Sequence, residues 1–252
     1  PWGVHVRGGH AAGKSHGESH RFSGTGISSP IREPVFKGEQ VIQEIIQLAK
    51  ENMRTESFAQ KLCVSSKGNV DCIKNAQLEE GQKGLLFSLS NHKVLYANGI
   101  YDKVYPASIT KIMTAMLALQ SGKLNDTVTI TQDNVTLEDG SQVCGFVAGD
   151  QVTLDQLLHC LLVYSGNDAA SAIAEYVGGS TENFVQMMND YAAKLGCTGT
   201  HFSNPHGLQD ENHYTTPYDI YLMLNEAFTY PEFTEITELP SYTVTYTGSD
   251  GT

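Results

Sequence analysis

From Gly84 to Tyr246 the periodicity of the apolar residues changes twice, and this order constrains the fold more than any other feature. Gly84-Leu85-Leu86-Phe87-Ser88-Leu89, then Ser90-Asn91-His92, then Lys93-Val94-Leu95-Tyr96-Ala97 predict a β-hairpin. Helical signals begin around Ser108 and stop at Ser121-Gly122, where glycine suits a helix C-terminus. Thr127-Val128-Thr129-Ile130 is a short strand, and a turn-rich stretch runs through Asp139-Gly140-Ser141. Thr153 or Asp155 then starts a helix carrying Leu154, Leu157, Leu158, Leu161 and Leu162. A second helix follows Ser165-Gly166-Asn167, a third starts at Ser180 and ends at Leu195-Gly196, and Thr216-Pro217 opens another. Ser241–Tyr246 alternates like a strand. Strands, a block of helices and strands again predict an α+β domain, a helical cluster packed on an antiparallel sheet.

The 252 residues suffice for one large domain or two small ones, and 40% hydrophobic with 17% charged residues marks a globular chain. A net charge of −12 argues against a nucleic-acid partner, since phosphate binding needs a basic surface. The run Leu157–Val163 is far too short to span a membrane, and no signal peptide is visible at Pro1, so an exported protein would be represented without its leader. Charge is uneven: residues 1–37 carry +3 and residues 38–252 carry −15, and Arg54 is the only arginine after Arg32. Residues 1–37, rich in Gly, Ser and His, therefore read as a tail, a linker or an expression remnant. Residues 38–81 read as an N-terminal amphipathic helix (38–54) with a connecting segment, and 82–252 as the main domain. Of the five cysteines, Cys63 and Cys72 could close a short loop in an oxidising compartment; five free thiols is an equal reading.

Ser108-Ile109-Thr110-Lys111 carries the chemistry. Serine and lysine three apart near a helix N-terminus share a face, so an amine stands beside a hydroxyl that needs a base to become a nucleophile. Free N–H groups at such a terminus also favour developing negative charge. Alone the pair equally describes a capping serine and a solvated lysine. About fifty residues on, Ser165-Gly166-Asn167 lies between two apolar helices and offers a hydroxyl for proton relay and an amide to hold a lysine or a substrate carbonyl. Its alternative is an ordinary N-cap by Ser165 or Asn167.

Together these motifs resemble the penicillin-recognising serine enzymes, with their Ser-x-x-Lys and Ser-x-Asn signatures, and most closely the serine-type D-alanyl-D-alanine carboxypeptidases. Tyr105–Thr114, Gly149–Leu154, His201–Leu208 and His213–Asp219 also look like that family, over roughly residues 82–247. The resemblance implies a β-lactamase/transpeptidase-like fold, no cofactor and no metal. It implies peptidoglycan stem peptides ending in D-Ala-D-Ala as substrate, β-lactams as covalent inhibitors, and an extracytoplasmic site of action. It also implies Ser108 as nucleophile, Lys111 as general base, Ser165 as proton relay and Asn167 as the residue that orients Lys111 and binds the substrate amide. The backbone N–H of Ser108 would form half of the oxyanion hole.

The family's third motif, Lys-Thr-Gly, does not occur: Thr247-Gly248 follows Tyr246, and no lysine lies beyond Lys194. The expectation is a fragment of a longer enzyme lacking its C-terminal strands, or a degenerate one. A class A-like β-lactamase is a rival, disfavoured by Ser-Gly-Asn in place of Ser-Asp-Asn and by the lack of a later Glu-x-x-Leu-Asn. A catalytically dead module that binds peptidoglycan or a partner is the other. His206 and His213 read as loop histidines organising the Asn204-Pro205 bend. Gly8–Ser15 matches the phosphate-loop pattern GxxxxGK[ST], but Val4-His5-Val6 reads as a poor strand and His16–His20 as a poor helix, so nucleotide binding is not expected.

Overall fold

Alternating burial along Gln82–Ser88 drives the first part of the fold. A computed structural model describes residues 3–7, 62–71 and 78–251. Four antiparallel strands form a sheet in the order β1 (Gly3–Arg7), β3 (Gln82–Ser88), β4 (Lys93–Asn98), β2 (Val70–Asp71). Leu85 and Phe87 of β3 turn to the core, and Phe87 meets the Tyr221 ring edge-on at 4.3 Å. The β3–β4 pair is the expected hairpin, with an irregularity between Leu86 and Phe87.

Val4-His5-Val6 reads as a poor strand from its sequence, but Gly3–Arg7 forms one, at the edge of the sheet. It pairs antiparallel with β3, Val4 opposite Leu85. An antiparallel edge strand is not the buried parallel strand that a phosphate loop needs. The phosphate-loop pattern itself, the helix expected over 38–54 and Cys72 lie outside the described residues.

Seven helices follow among the described residues: α1 (Lys111–Gln120), α2 (Gln132–Val135), α3 (Leu154–His159), α4 (Asn167–Gly178), α5 (Thr181–Leu195), α6 (Pro217–Ala227) and α7 (Pro231–Thr237). Their starts follow local chemistry. Thr153 caps α3 in a capping box with Gln156, Ser180 accepts from Asn183 N at the start of α5, and Thr216 caps α6 with Pro217 at its first position. The helix expected through Leu162 changes at Cys160 into a five-residue π-turn, Cys160–Tyr164. Strands β5 (Thr127–Thr129) and β6 (Gln151–Thr153) form a separate two-stranded ladder.

Helix α1 lies at the centre. Met113, Ala115, Met116 and Ala118 are wholly buried, and the helix packs against α4, α6 and the π-turn. Leu154, Leu157, Leu158 and Leu161 complete this core, each worth about 1.5–3 kcal/mol when fully buried. The expected strand at Ser241–Tyr246 is not formed. Its burial alternates, but the one bridge here, Gln151–Thr247, lies just beyond it. The Thr245 carbonyl accepts from Gln156 Nε2 at 2.6 Å and Tyr242 stacks on His159, so the segment packs on α3 through side chains.

Candidate active site

The helix expected from Ser108 becomes α-helical only at Lys111: Ser108 sits in a 3₁₀ turn over Ala107–Thr110 that runs straight into α1. In a 3₁₀ turn residues three apart eclipse, which stacks Ser108 and Lys111 more directly than an α-helix would. The turn is entered through Ala107, whose φ of 47° lies in the left-handed region that an alanine rarely adopts. Ser108 is exposed, whereas Lys111 is 3% exposed.

Lys111 Nζ has three oxygen neighbours: Ser108 Oγ at 3.2 Å, Asn167 Oδ1 at 2.7 Å and the His206 carbonyl at 2.8 Å. Burial lowers its pKa to about 8, against the opposing pull of the Asp168 carboxylate. Asn167 reaches it from the first turn of α4. The N-cap of α4 is Gly166, so neither Ser165 nor Asn167 serves as the cap that the local sequence allows. Ser165 is the second non-glycine with a left-handed backbone at the site (φ 65°), immediately after the π-turn. Ser165, Ser108 and Lys111 line one cleft of about 430 Å³, whose other wall is apolar, built from Leu161, Leu224 and Phe233.

Four contributors gave no sequence signal of their own role. His206 supplies a backbone carbonyl, not its ring, to Lys111. The loop that presents it is folded by Asn204, whose Oδ1 accepts from Gly207 N at 2.7 Å and whose Nδ2 donates to the Leu208 carbonyl at 2.9 Å. His213 is 2% exposed and stands 2.7 Å from Thr110 Oγ1 through Nε2. Ser203 N donates to His213 Nδ1 at 3.0 Å, so the ring carries its proton on Nε2 and donates it to Thr110, bracing the 3₁₀ turn. Burial lowers both histidine pKa values to about 4, keeping the rings neutral. Asp168 accepts from Cys144 N, Gly145 N and Ala169 N at 2.9–3.0 Å and fastens the 144–146 loop to α4.

Gly207 is the fourth. At φ 91° its Cβ position overlaps the Ala107 carbonyl oxygen, so only glycine lets this loop lie against the turn that carries Ser108. Gly207→Ala is expected to destabilise the protein by about 3 kcal/mol. Thermal unfolding followed by circular dichroism measures it, and an unchanged midpoint contradicts this account of the close approach.

A family model described as D-alanyl-D-alanine carboxypeptidase, peptidase S11, matches residues 50–250. The chain belongs to this family. It is 37% identical over 162 residues to the D-alanyl-D-alanine carboxypeptidase DacF of Bacillus subtilis, covering 63% of this chain and 41% of that protein. It is 40% identical over 149 residues to DacC of Escherichia coli, covering 55% and 37%. A crystal structure of the D-alanyl-D-alanine carboxypeptidase of Mycobacterium tuberculosis superposes with a TM-score of 0.62 at 32% identity, over 69% of this chain and 66% of that one. The chain therefore shares the penicillin-binding, transpeptidase-like α+β fold, and spans about two fifths of the length of the curated relatives it matches.

Proposed function

We propose that this chain carries the acylation centre of a serine-type D-Ala-D-Ala carboxypeptidase, which removes the terminal D-alanine from peptidoglycan stem peptides outside the cytoplasm and is acylated by β-lactams on the same serine. The observation that carries the reading is the environment of Lys111. Two of its three neighbours, Asn167 Oδ1 and the His206 carbonyl, are oxygens that only accept hydrogen bonds. A neutral amine spends its two N–H bonds on them. Its lone pair then faces the third neighbour, Ser108 Oγ. Asn167 and His206 thus aim the base as well as hold it.

In this mechanism Lys111 takes the proton as Ser108 Oγ attacks the carbonyl carbon of the penultimate D-alanine. The oxyanion that forms meets the Ser108 N–H in the first turn, where backbone donors have no helical partner. Ser165, across the cleft, relays a proton to the departing D-alanine nitrogen. Asn167 offers its remaining hydrogen-bonding capacity to the substrate amide. Water then attacks the ester, with Lys111 again as base, and frees Ser108. A β-lactam follows the first half of this path; its leaving group stays tethered, so the ester persists.

Incubation with a labelled penicillin and peptide mapping tests the reading. A stable adduct on Ser108 is expected. Absence of an adduct, or an adduct elsewhere, overturns it, and rapid turnover of a chromogenic cephalosporin points to a β-lactamase instead. The pH dependence is a sharper check. Lys111 works as the neutral amine, which predominates above its pKa of about 8. Below that value the acylation rate is expected to rise about tenfold per pH unit, and to level off above about pH 9. A rate independent of pH between 6 and 9 excludes Lys111 as the titrating base.

A further inference from the structure

Ala107 and the 3₁₀ turn it opens are both unfavourable when taken alone. Alanine resists the left-handed backbone, and 3₁₀ hydrogen bonds are poorer than those of the α-helix that follows. Such a conformation persists only where its surroundings over-determine it. Here the segment 201–215 meets 104–114 at several points. Thr215 and Val104 exchange backbone hydrogen bonds at 2.8 and 2.9 Å, and Gly207 lies against the Ala107 carbonyl. His213 stands 2.7 Å from Thr110 Oγ1. The His206 carbonyl accepts from Lys111 at 2.8 Å, and the Pro205 carbonyl accepts from Thr114 Oγ1 at 2.6 Å.

Among these contacts only that of His213 is supplied by a side chain of the 201–215 segment. It also falls inside the turn itself: Thr110 is the last residue of the turn, two positions after Ser108, and is 1% exposed. The ring is fixed on its other sides. Ser203 N donates to Nδ1 at 3.0 Å, the Phe202 ring packs edge-on at 5.6 Å, and His213 N donates to the Asp210 carbonyl at 3.1 Å.

We propose that His213 is a positioning residue for acylation: through Thr110 it keeps the turn in its 3₁₀ form, and so keeps Ser108 Oγ over the Lys111 amine. Its side chain bonds to neither of those two residues and acts on them through the turn. Without the brace, Ala107 can leave the left-handed region and the turn can rewind toward an α-helix, in which residues three apart are offset and no longer eclipsed. The 3.2 Å approach of Lys111 Nζ to Ser108 Oγ then opens. The inference rests on Ser108 being the nucleophile of the proposed reaction.

Two side-chain amides separate the roles of the two ring nitrogens. Glutamine places an amide N–H where Nε2–H stands, so H213Q keeps the donor to Thr110. Asparagine reaches only as far as Nδ1, so H213N keeps at most the partner of Ser203. H213N is expected to lower the acylation rate constant for labelled penicillin by about 10- to 100-fold, the scale of a misplacement of about 1 Å, with the half-saturating concentration little changed. H213Q is expected to stay within about threefold of the parent. T110V leaves His213 and its Ser203 contact in place and is expected to lose as much as H213N. NMR supplies a readout that needs no activity: the backbone shifts of Ala107 report its φ, and are expected to move toward right-handed values in H213N and T110V but not in H213Q.

Asparagine restoring what glutamine does not, equal losses in both, a loss confined to the half-saturating concentration, or Ala107 shifts that stay put in H213N and T110V each overturn the proposal. A parent chain that forms no adduct refutes the proposed reaction instead, and the Ala107 shifts still decide whether His213 holds the turn.

Discussion

Lys111→Met is expected to lower the rate of acylation by labelled penicillin by about 10³-fold while the protein still folds, because general-base assistance contributes about 10²–10⁴-fold. Methionine is long and unbranched enough to fill the slot of a side chain that is 3% exposed. It removes the amine that stands 3.2 Å from Ser108 Oγ and leaves Asn167 Oδ1 and the His206 carbonyl without their donor. Each orphaned oxygen costs about 1–3 kcal/mol, offset by no longer having to bury an ammonium group. Circular dichroism separates the two effects: a native spectrum with acylation lost supports the base, whereas a loss of less than tenfold at pH 8 removes Lys111 from that role.

Asp168→Ala carries the largest expected stability effect. The carboxylate is 1% exposed and accepts from Cys144 N at 2.9 Å, Gly145 N at 3.0 Å, Phe146 N at 3.4 Å and Ala169 N at 2.9 Å. Alanine leaves these donors facing a cavity, for a loss of roughly 4 kcal/mol, a large share of the 5–15 kcal/mol that holds a typical domain together. Asp168→Asn keeps one acceptor oxygen and should lose about half as much. The asparagine variant has a second readout. Asp168 is the charge that most favours protonated Lys111, so its neutralisation is expected to move the midpoint of the acylation pH profile below 8. Urea unfolding and the pH profile check the two halves independently. A variant as stable as the parent, or with an unmoved midpoint, contradicts the corresponding half.

What could be read from the sequence depended on how local its cause was. Thr153, Ser180 and Thr216-Pro217 marked their helices because a cap is made with residues three positions on. Ser108 and Lys111 were legible for the same reason, since one turn brings them together. Ser241–Tyr246 misled because alternation reports burial on one side, not a hydrogen-bonding partner. Helix α7 was missed although Pro231 followed by Phe233 and Ile236 carries a helix start and an apolar face. Within the site, the bracing of Thr110 by His213 joins residues 103 positions apart. The need for glycine at position 207 comes from the Ala107 carbonyl. Both follow from the packed fold, and no spacing rule reaches them.

The placement of α1 has a consequence in time. The helix that begins with Lys111 is sealed in the core along most of its length, whereas Asn167, Ser165 and the His206 carbonyl arrive from a turn and a loop. Amide exchange should therefore be slowest along α1, near the limit set by global unfolding, and faster through 142–146 and 204–208. The proposed base belongs to the part of the molecule that waits, the proposed nucleophile stands in the turn that leads into it, and any adjustment to an arriving ligand is left to the segments around them.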